Sequence, residues 1–155
     1  MARHAKPGDA EEYRSRLVSL LENFEEHLKN SELRTQVIEL IPAIKLLQNL
    51  GRSLIQGPET GGARARVLAY MKKYVGIVLA GEELMVVAGI SEYARRIREL
   101  RVEHGWRILT GYTLKNLEPE ELQKLFATDK PKLKPDQYIL LSDRQDMEAA
   151  YRWNV

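Results

Sequence analysis

GEELMVVAGISEYARRIRELRVEHGWRILTG, residues 81–111, is the stretch whose reading decides the fold. Gly81 to Ala88 has the composition and spacing of a short helix, and Gly89-Ile90-Ser91 reads as a tight turn, because glycine reaches a positive backbone angle at little steric cost. A further helix is expected over Ser91 to Glu103, stopped by Gly105. Leu84, Val87 and Ala88 on the first helix, with Ala94, Ile97 and Leu100 on the second, fall at spacings that let the two pack across the turn. That leaves Ser91, Glu92, Arg95, Arg96, Arg98, Glu99 and Val102 outside or on the flanks, while Tyr93 suits either side.

Working outward, Ala63 to Tyr74 reads as a helix with Val67, Leu68 and Met71 inward and Gly76 behind it, followed by the β-branched run Ile77 to Leu79. On the other side, Trp106 to Tyr112 and Gln137 to Leu141 read as strands, with Trp106 and Ile108 on one buried face. The order helix, strand, helix, turn, helix, strand, strand is that of a winged helix-turn-helix, expected over 63–145. The connection Thr113 to Asp136 is long for a hairpin and is expected to hold a helix at 119–126 and a basic tip at Lys130, Lys132 and Lys134, an enlarged wing. Residues 146–155 read as the start of a C-terminal helix.

Upstream, Asp9 can cap a helix to about Lys29 with Tyr13, Leu17, Leu20, Leu21, Phe24 and Leu28 on one stripe. Ser31 suits the cap of a second helix that presents Leu33, Val37, Leu40, Ile41, Ile44, Leu47, Leu50 and Leu54, and Pro42 should bend it. Residues 1–56 are thus expected to form an antiparallel helical hairpin, separated from the rest of the chain by the Gly/Pro-rich linker 57–62. A lone hairpin leaves apolar surface over, for the next domain or for a second copy of the chain. The fold class expected overall is mainly α with a small β-hairpin.

The formal charge of +2 hides an uneven distribution. Residues 9–50 carry five basic and eight acidic side chains, net −3, whereas 63–112 carry nine basic and five acidic, net +4. A polyanion should therefore meet the middle of the chain first. The absence of cysteine and the scatter of His4, His27 and His104 argue against a protein-built metal site. No lysine follows an acidic residue at the Asp/Glu-x-Lys spacing of one nuclease class, and there is no HExxH, phosphate loop or serine triad. Asp136 and Asp143 read as turn residues. With neither signal peptide nor spanning segment apparent, the expectation is a cytoplasmic chain without membrane contact, catalytic site or cofactor.

The segments ELMVVAGISEYARRIRELRVEHGWRILTG and LKPDQYILLSDRQDMEAAYRWNV resemble the N-terminal DNA-reading region of bacterial HNH-type restriction endonucleases. The resemblance covers about the last half of the chain. It implies a winged helix that reads double-stranded DNA ahead of a catalytic HNH module of a restriction-modification enzyme, whose nuclease residues this chain does not contain. Target recognition is accordingly assigned to Ser91, Glu92, Tyr93, Arg95, Arg96 and Glu99, with Arg98 and Arg101 as phosphate contacts and Lys130 and Lys132 as wing contacts. The residues leave open a modified base as target, a protein-interaction module, and a transcriptional regulator that dimerises through the hairpin.

Overall fold

The chain runs α1 (Asp9–Asn30), α2 (Leu33–Ser53), α3 (Ala63–Lys73), β1 (Leu79–Ala80), α4 (Gly81–Ala88), α5 (Tyr93–Val102), β2 (Trp106–Thr110), α6 (Gly111–Lys115) and β3 (Gln137–Gln145). A computed structural model describes residues 9–57, 60–116, 118, 120 and 132–148. Among the described residues the architecture is mainly helical, with three antiparallel strands in the order β1-β3-β2. β3 is therefore central. It pairs Tyr138 with Leu79 on one edge and Leu140 with Ile108 on the other, with an irregularity in register between Trp106 and Ile108.

Alternation along the strands gives the sheet two buried faces. Ile108, Leu140, Tyr138 and Trp106 point into the main core with Val67 and Met71 of α3, Leu84 and Ala88 of α4, and Ile97 and Leu100 of α5. Leu109 and Ile139 point the other way, onto Leu114 of α6, with Val78, Leu133 and Leu141 around them. Each strand buries alternate residues against a different layer, so a one-residue slip would exchange the two sets and is disfavoured. Trp106 is buried as its spacing with Ile108 implies, and the Lys72 ammonium lies 4.7 Å from the ring centroid.

The expected helix over Gly81 to Ala88 has those bounds. Others shift. Ser91 and Glu92 belong to the turn, and α5 begins only at Tyr93. Ala94 is exposed, and Tyr93 packs on the core in its place. The strand expected to reach Tyr112 stops at Thr110, because the Thr110 hydroxyl accepts a hydrogen bond from the Thr113 amide at 2.9 Å and caps α6 there. The helix expected at 119–126 lies, apart from Glu120, outside the described residues, as do Lys130 and most of 146–155.

α1 and α2 form an antiparallel pair. The second helix is preceded by Glu32 rather than capped by Ser31, whose hydroxyl lies 3.2 Å from His27 Nδ1, and α2 runs on through Pro42. Phe24, Ala43 and Leu46 are buried between the helices. Leu21, Leu28, Leu33, Val37, Ile41, Ile44, Leu47 and Leu54, expected on the inner stripes, are exposed. The physical reason is width: each helix can hide only one narrow stripe against a single neighbour, and these sequences carry wider ones. The C-terminal end of α2 crosses α4 so closely that a Cβ on Gly51 would run into the Val86 carbonyl. No helix among the described residues is long and apolar enough to cross a membrane.

Candidate nucleic-acid interface

The turn between α4 and α5 is built by side chains from two other helices. Gly89 has φ 67° and its amide donates to the Met85 carbonyl at 2.9 Å, closing α4 with a left-handed residue. The carbonyls at this helix end carry partial negative charge and lack intrahelical partners. Arg66 of α3 supplies them: its guanidinium, buried with only 6 % of the residue exposed, donates to the Val87 carbonyl at 3.1 Å and the Ala88 carbonyl at 2.8 Å. The same group donates to the Thr60 and Gly61 carbonyls at 3.2 and 2.9 Å. Burial, and then the nearby Arg52, push its pKa down from the usual arginine value. Arg52 at the end of α2 donates from Nη2 to the Gly89 carbonyl at 2.9 Å.

This predicts the effect of Gly89→Ala. An L side chain at positive φ costs about 1–2 kcal/mol, and the added Cβ would also press on the Arg52 stem. We expect a loss of about 2–3 kcal/mol in urea unfolding once both effects count. An unchanged midpoint would mean that the turn does not need its left-handed residue.

At the opposite end of α4, the Glu83 carboxylate accepts from the Ala80 amide at 2.7 Å, a cap for the first turn. It also accepts from the Tyr70 hydroxyl at 2.7 Å, and this hydrogen bond keeps the phenol protonated, its pKa pushed up to about 12. α4 is thereby fixed at both ends by α3.

On α5 four arginines stand against one glutamate, a net charge of +3 on ten residues. Glu99 lies at the centre: Arg96 Nη1 is 3.1 Å from its carboxylate, Arg64 Nη1 of α3 3.4 Å and Arg95 Nε 3.7 Å. One carboxylate among three guanidiniums leaves positive charge uncompensated. Arg96 and Glu99 are half-buried, whereas the Arg95 side chain is 70 % exposed and its ion pair is the longest of the three. Arg98 is exposed and, among the described residues, forms no hydrogen bond or ion pair. Ser91 and Glu92 are exposed in the turn that leads into the helix, and Tyr93 is half-buried.

Arg101, expected at the surface as a phosphate contact, faces inward. The residue is 8 % exposed and its Nη1 donates to the Thr113 hydroxyl at 2.7 Å, which in turn lies 2.9 Å from the Thr110 hydroxyl. Burial, and then Arg98, push its pKa down. The cause of the inward placement is spacing, since position 101 follows Ile97 by one turn and lies beside Leu100. Arg101 pins the end of α5 to the start of α6 and is turned away from solvent.

Lys132 is exposed and, with Lys115 and Lys134, borders a surface groove behind α6, where the 132–135 segment crosses Gly111. The sequence reading missed Arg52, Arg64, Arg66 and Lys115. For Arg66 a signal existed: it shares the inward side of α3 with Val67 and Tyr70, and a charged residue there must find internal partners. Among the described residues no group of three His, Asp or Glu side chains could hold a metal ion.

Compared with known protein families, residues 64–141, just over half the chain, match the family described as the KpnI N-terminal domain. The matched span runs from α3 into β3 and contains α4, the Gly89 turn and α5, while the α1–α2 hairpin lies outside it. Comparison with curated proteins and with solved structures finds no match.

Proposed function

Because this chain belongs to the KpnI N-terminal domain family, and so to an N-terminal region related to restriction endonucleases, we propose that α3 through β3 reads double-stranded DNA for a restriction-type enzyme. In this reading α3, β1, α4, α5, β2 and β3 are a winged helix-turn-helix and α5 is its recognition helix. The order of elements and the central position of β3 support it. The observation that carries it is the cationic outer face of α5, with Arg95 and Arg98 exposed on a helix fixed from behind by a buried core.

A ten-residue helix is about 15 Å long and fits a major groove about 12 Å wide. Arginine makes paired hydrogen bonds to guanine, and Ser91 and Glu92 at the leading end of α5 reach other base edges. Arg95 and Arg98 point outward. Arg96 and Arg64, held by Glu99, buttress them and add charge toward the backbone phosphates. Lys132, with Lys115 and Lys134, contacts the backbone from the wing side. The reading step needs no cofactor, and cleavage in the parent enzyme falls to an HNH module.

Selection from a random duplex library, repeated with methylated pools, followed by polarisation titrations of the recovered duplex, tests this. Affinity should fall linearly in log–log form between about 50 and 200 mM salt, as phosphate-bound counterions are released. Binding that is flat in salt, or no enrichment over the starting pool, would replace this reading with a protein-docking role.

A further inference from the structure

The α1–α2 hairpin has a second apolar face that nothing among the described residues covers. Leu21 and Leu28 of α1 and Val37, Ile41, Ile44 and Leu47 of α2 are each between 46 % and 61 % exposed. Their positions recur at three, four and seven residues, so on each helix they form a stripe beside the buried seam rather than scattered points. The opposite side of the pair is mixed: the groove there is lined by Ser15, Arg16, Ser19, Lys45 and Asn49 together with Leu20, Pro42 and Leu46. The two sides differ in degree, with a run of large exposed aliphatic side chains on one and a mixed polar and apolar groove on the other. The apolar side also continues past the hairpin into a cleft of about 350 Å³ lined by Leu47, Leu54, Met85, Val86 and Ile90. A contiguous apolar surface of this kind on a chain that is 30 % charged marks an interface.

Charge indicates what covers it. α1 carries six acidic side chains against the three basic residues Arg14, Arg16 and Lys29, net −3. α2 carries Arg34, Lys45 and Arg52 against Glu39, net +2. Glu22 and Glu25 lie along the outer edge of the apolar stripe on α1, where Lys29 pairs with Glu25 at 3.2 Å. Arg34 lies along the outer edge of that on α2, while Lys45, one turn after Ile41 and one turn before Asn49, stands between the stripe and the opposite groove. A two-fold axis parallel to the helices sets α1 of one copy over α2 of the other. All neighbouring helices are then antiparallel, and acidic edge meets basic edge twice. A two-fold axis perpendicular to the helices would set α1 on α1, with like charges opposed.

We infer that this face binds a second copy of the same chain, closing two hairpins into a four-helix bundle about an axis parallel to them. Two-helix units that cannot bury both stripes alone commonly complete their core in this way, and an isologous contact uses the same patch on both subunits. The inference does not rest on DNA binding, which is assigned to the other part of the chain.

Sedimentation equilibrium of the full chain without DNA is the test. The wild type should have twice the chain mass at micromolar concentration. Val37→Glu with Ile44→Glu changes only exposed positions, and should give the monomer mass with an unchanged far-ultraviolet spectrum. A wild type that is monomeric up to about 100 µM overturns the inference, and so does a folded double variant of unchanged mass. If that variant loses helicity, Arg34→Glu with Lys45→Glu keeps the apolar face intact. It should raise the dimer Kd at least tenfold at low salt, and an unchanged Kd overturns the proposed packing of α1 on α2.

Discussion

Arg66→Met should lower stability by about 3–5 kcal/mol, although residue 66 touches neither the solvent-facing side of α5 nor any ligand in the proposed reading. Methionine keeps much of the aliphatic stem and so limits the loss of packing. What disappears is the guanidinium that serves the carbonyls of Thr60, Gly61, Val87 and Ala88. Hydrogen bonds from a charged donor contribute about 1.5–3 kcal/mol, and a buried acceptor left without a donor costs about 1–3 kcal/mol. Two of the four carbonyls belong to the end of α4, where the helix dipole makes a cation more favourable still. Arg66→Lys should recover only part of the loss, since one ammonium cannot span four acceptors around a planar fork. Urea unfolding followed by circular dichroism reads the effect directly. A loss under about 1 kcal/mol for Arg66→Met would mean that water serves those carbonyls as well as the guanidinium does.

Arg95→Ala and Arg98→Ala together should nearly abolish recognition of the selected duplex. If both make base contacts, each contributes roughly 1–3 kcal/mol of discrimination, and the pair removes the two most exposed cations on α5. Salt dependence separates the two possible roles: loss of a phosphate contact reduces the slope of log affinity against log salt by about one, whereas loss of a base contact leaves it and flattens the preference between duplexes. Thermal melts should hardly move, because both side chains are in solvent. Arg101→Met is the useful contrast. It removes a buried cation that holds α5 to α6 through Thr113, so the melt should fall first. Full affinity in the Arg95/Arg98 variant would refute the assignment of α5 as the reading helix.

Much of this arrangement is legible in the residues themselves. Gly81 and Gly89 bracket α4, and the structure keeps both bounds, because a glycine at each end is required by close approach on one side and positive φ on the other. The apolar periods of α3, α5 and β2 likewise place Val67, Met71, Ile97, Leu100 and Ile108 in the core. The misses have different causes: the charge of Arg101 suits a surface and the spacing of Ala94 with Ile97 suits the core, and the structure reverses both because α5 begins at Tyr93, which takes the inward place. Arg101 and Arg66 occupy inward positions, and both turn out to be internal donors rather than surface charges. Ala94 occupies an outward position despite being apolar. Glu99 could be foreseen as a partner of Arg95 one turn away, but Arg64 joins it from a helix 35 positions earlier in the chain, which no local pattern encodes. The width of the apolar stripes on α1 and α2 is visible in their sequences; which half each helix hides depends on the angle at which they meet.

The placement of β3 between the two earlier strands means that the sheet cannot close before residues 137–145 have been made. During synthesis α1 and α2 leave the ribosome first and can pair at once, since their contacts are local. Leu79 and Ile108, by contrast, emerge with no neighbour to bond and wait for Tyr138 and Leu140. Until that last strand arrives, the apolar sides of α3, α4 and α5 have only each other to lean on, a slow, long-range closure during which a nascent chain is most exposed to aggregation or proteolysis.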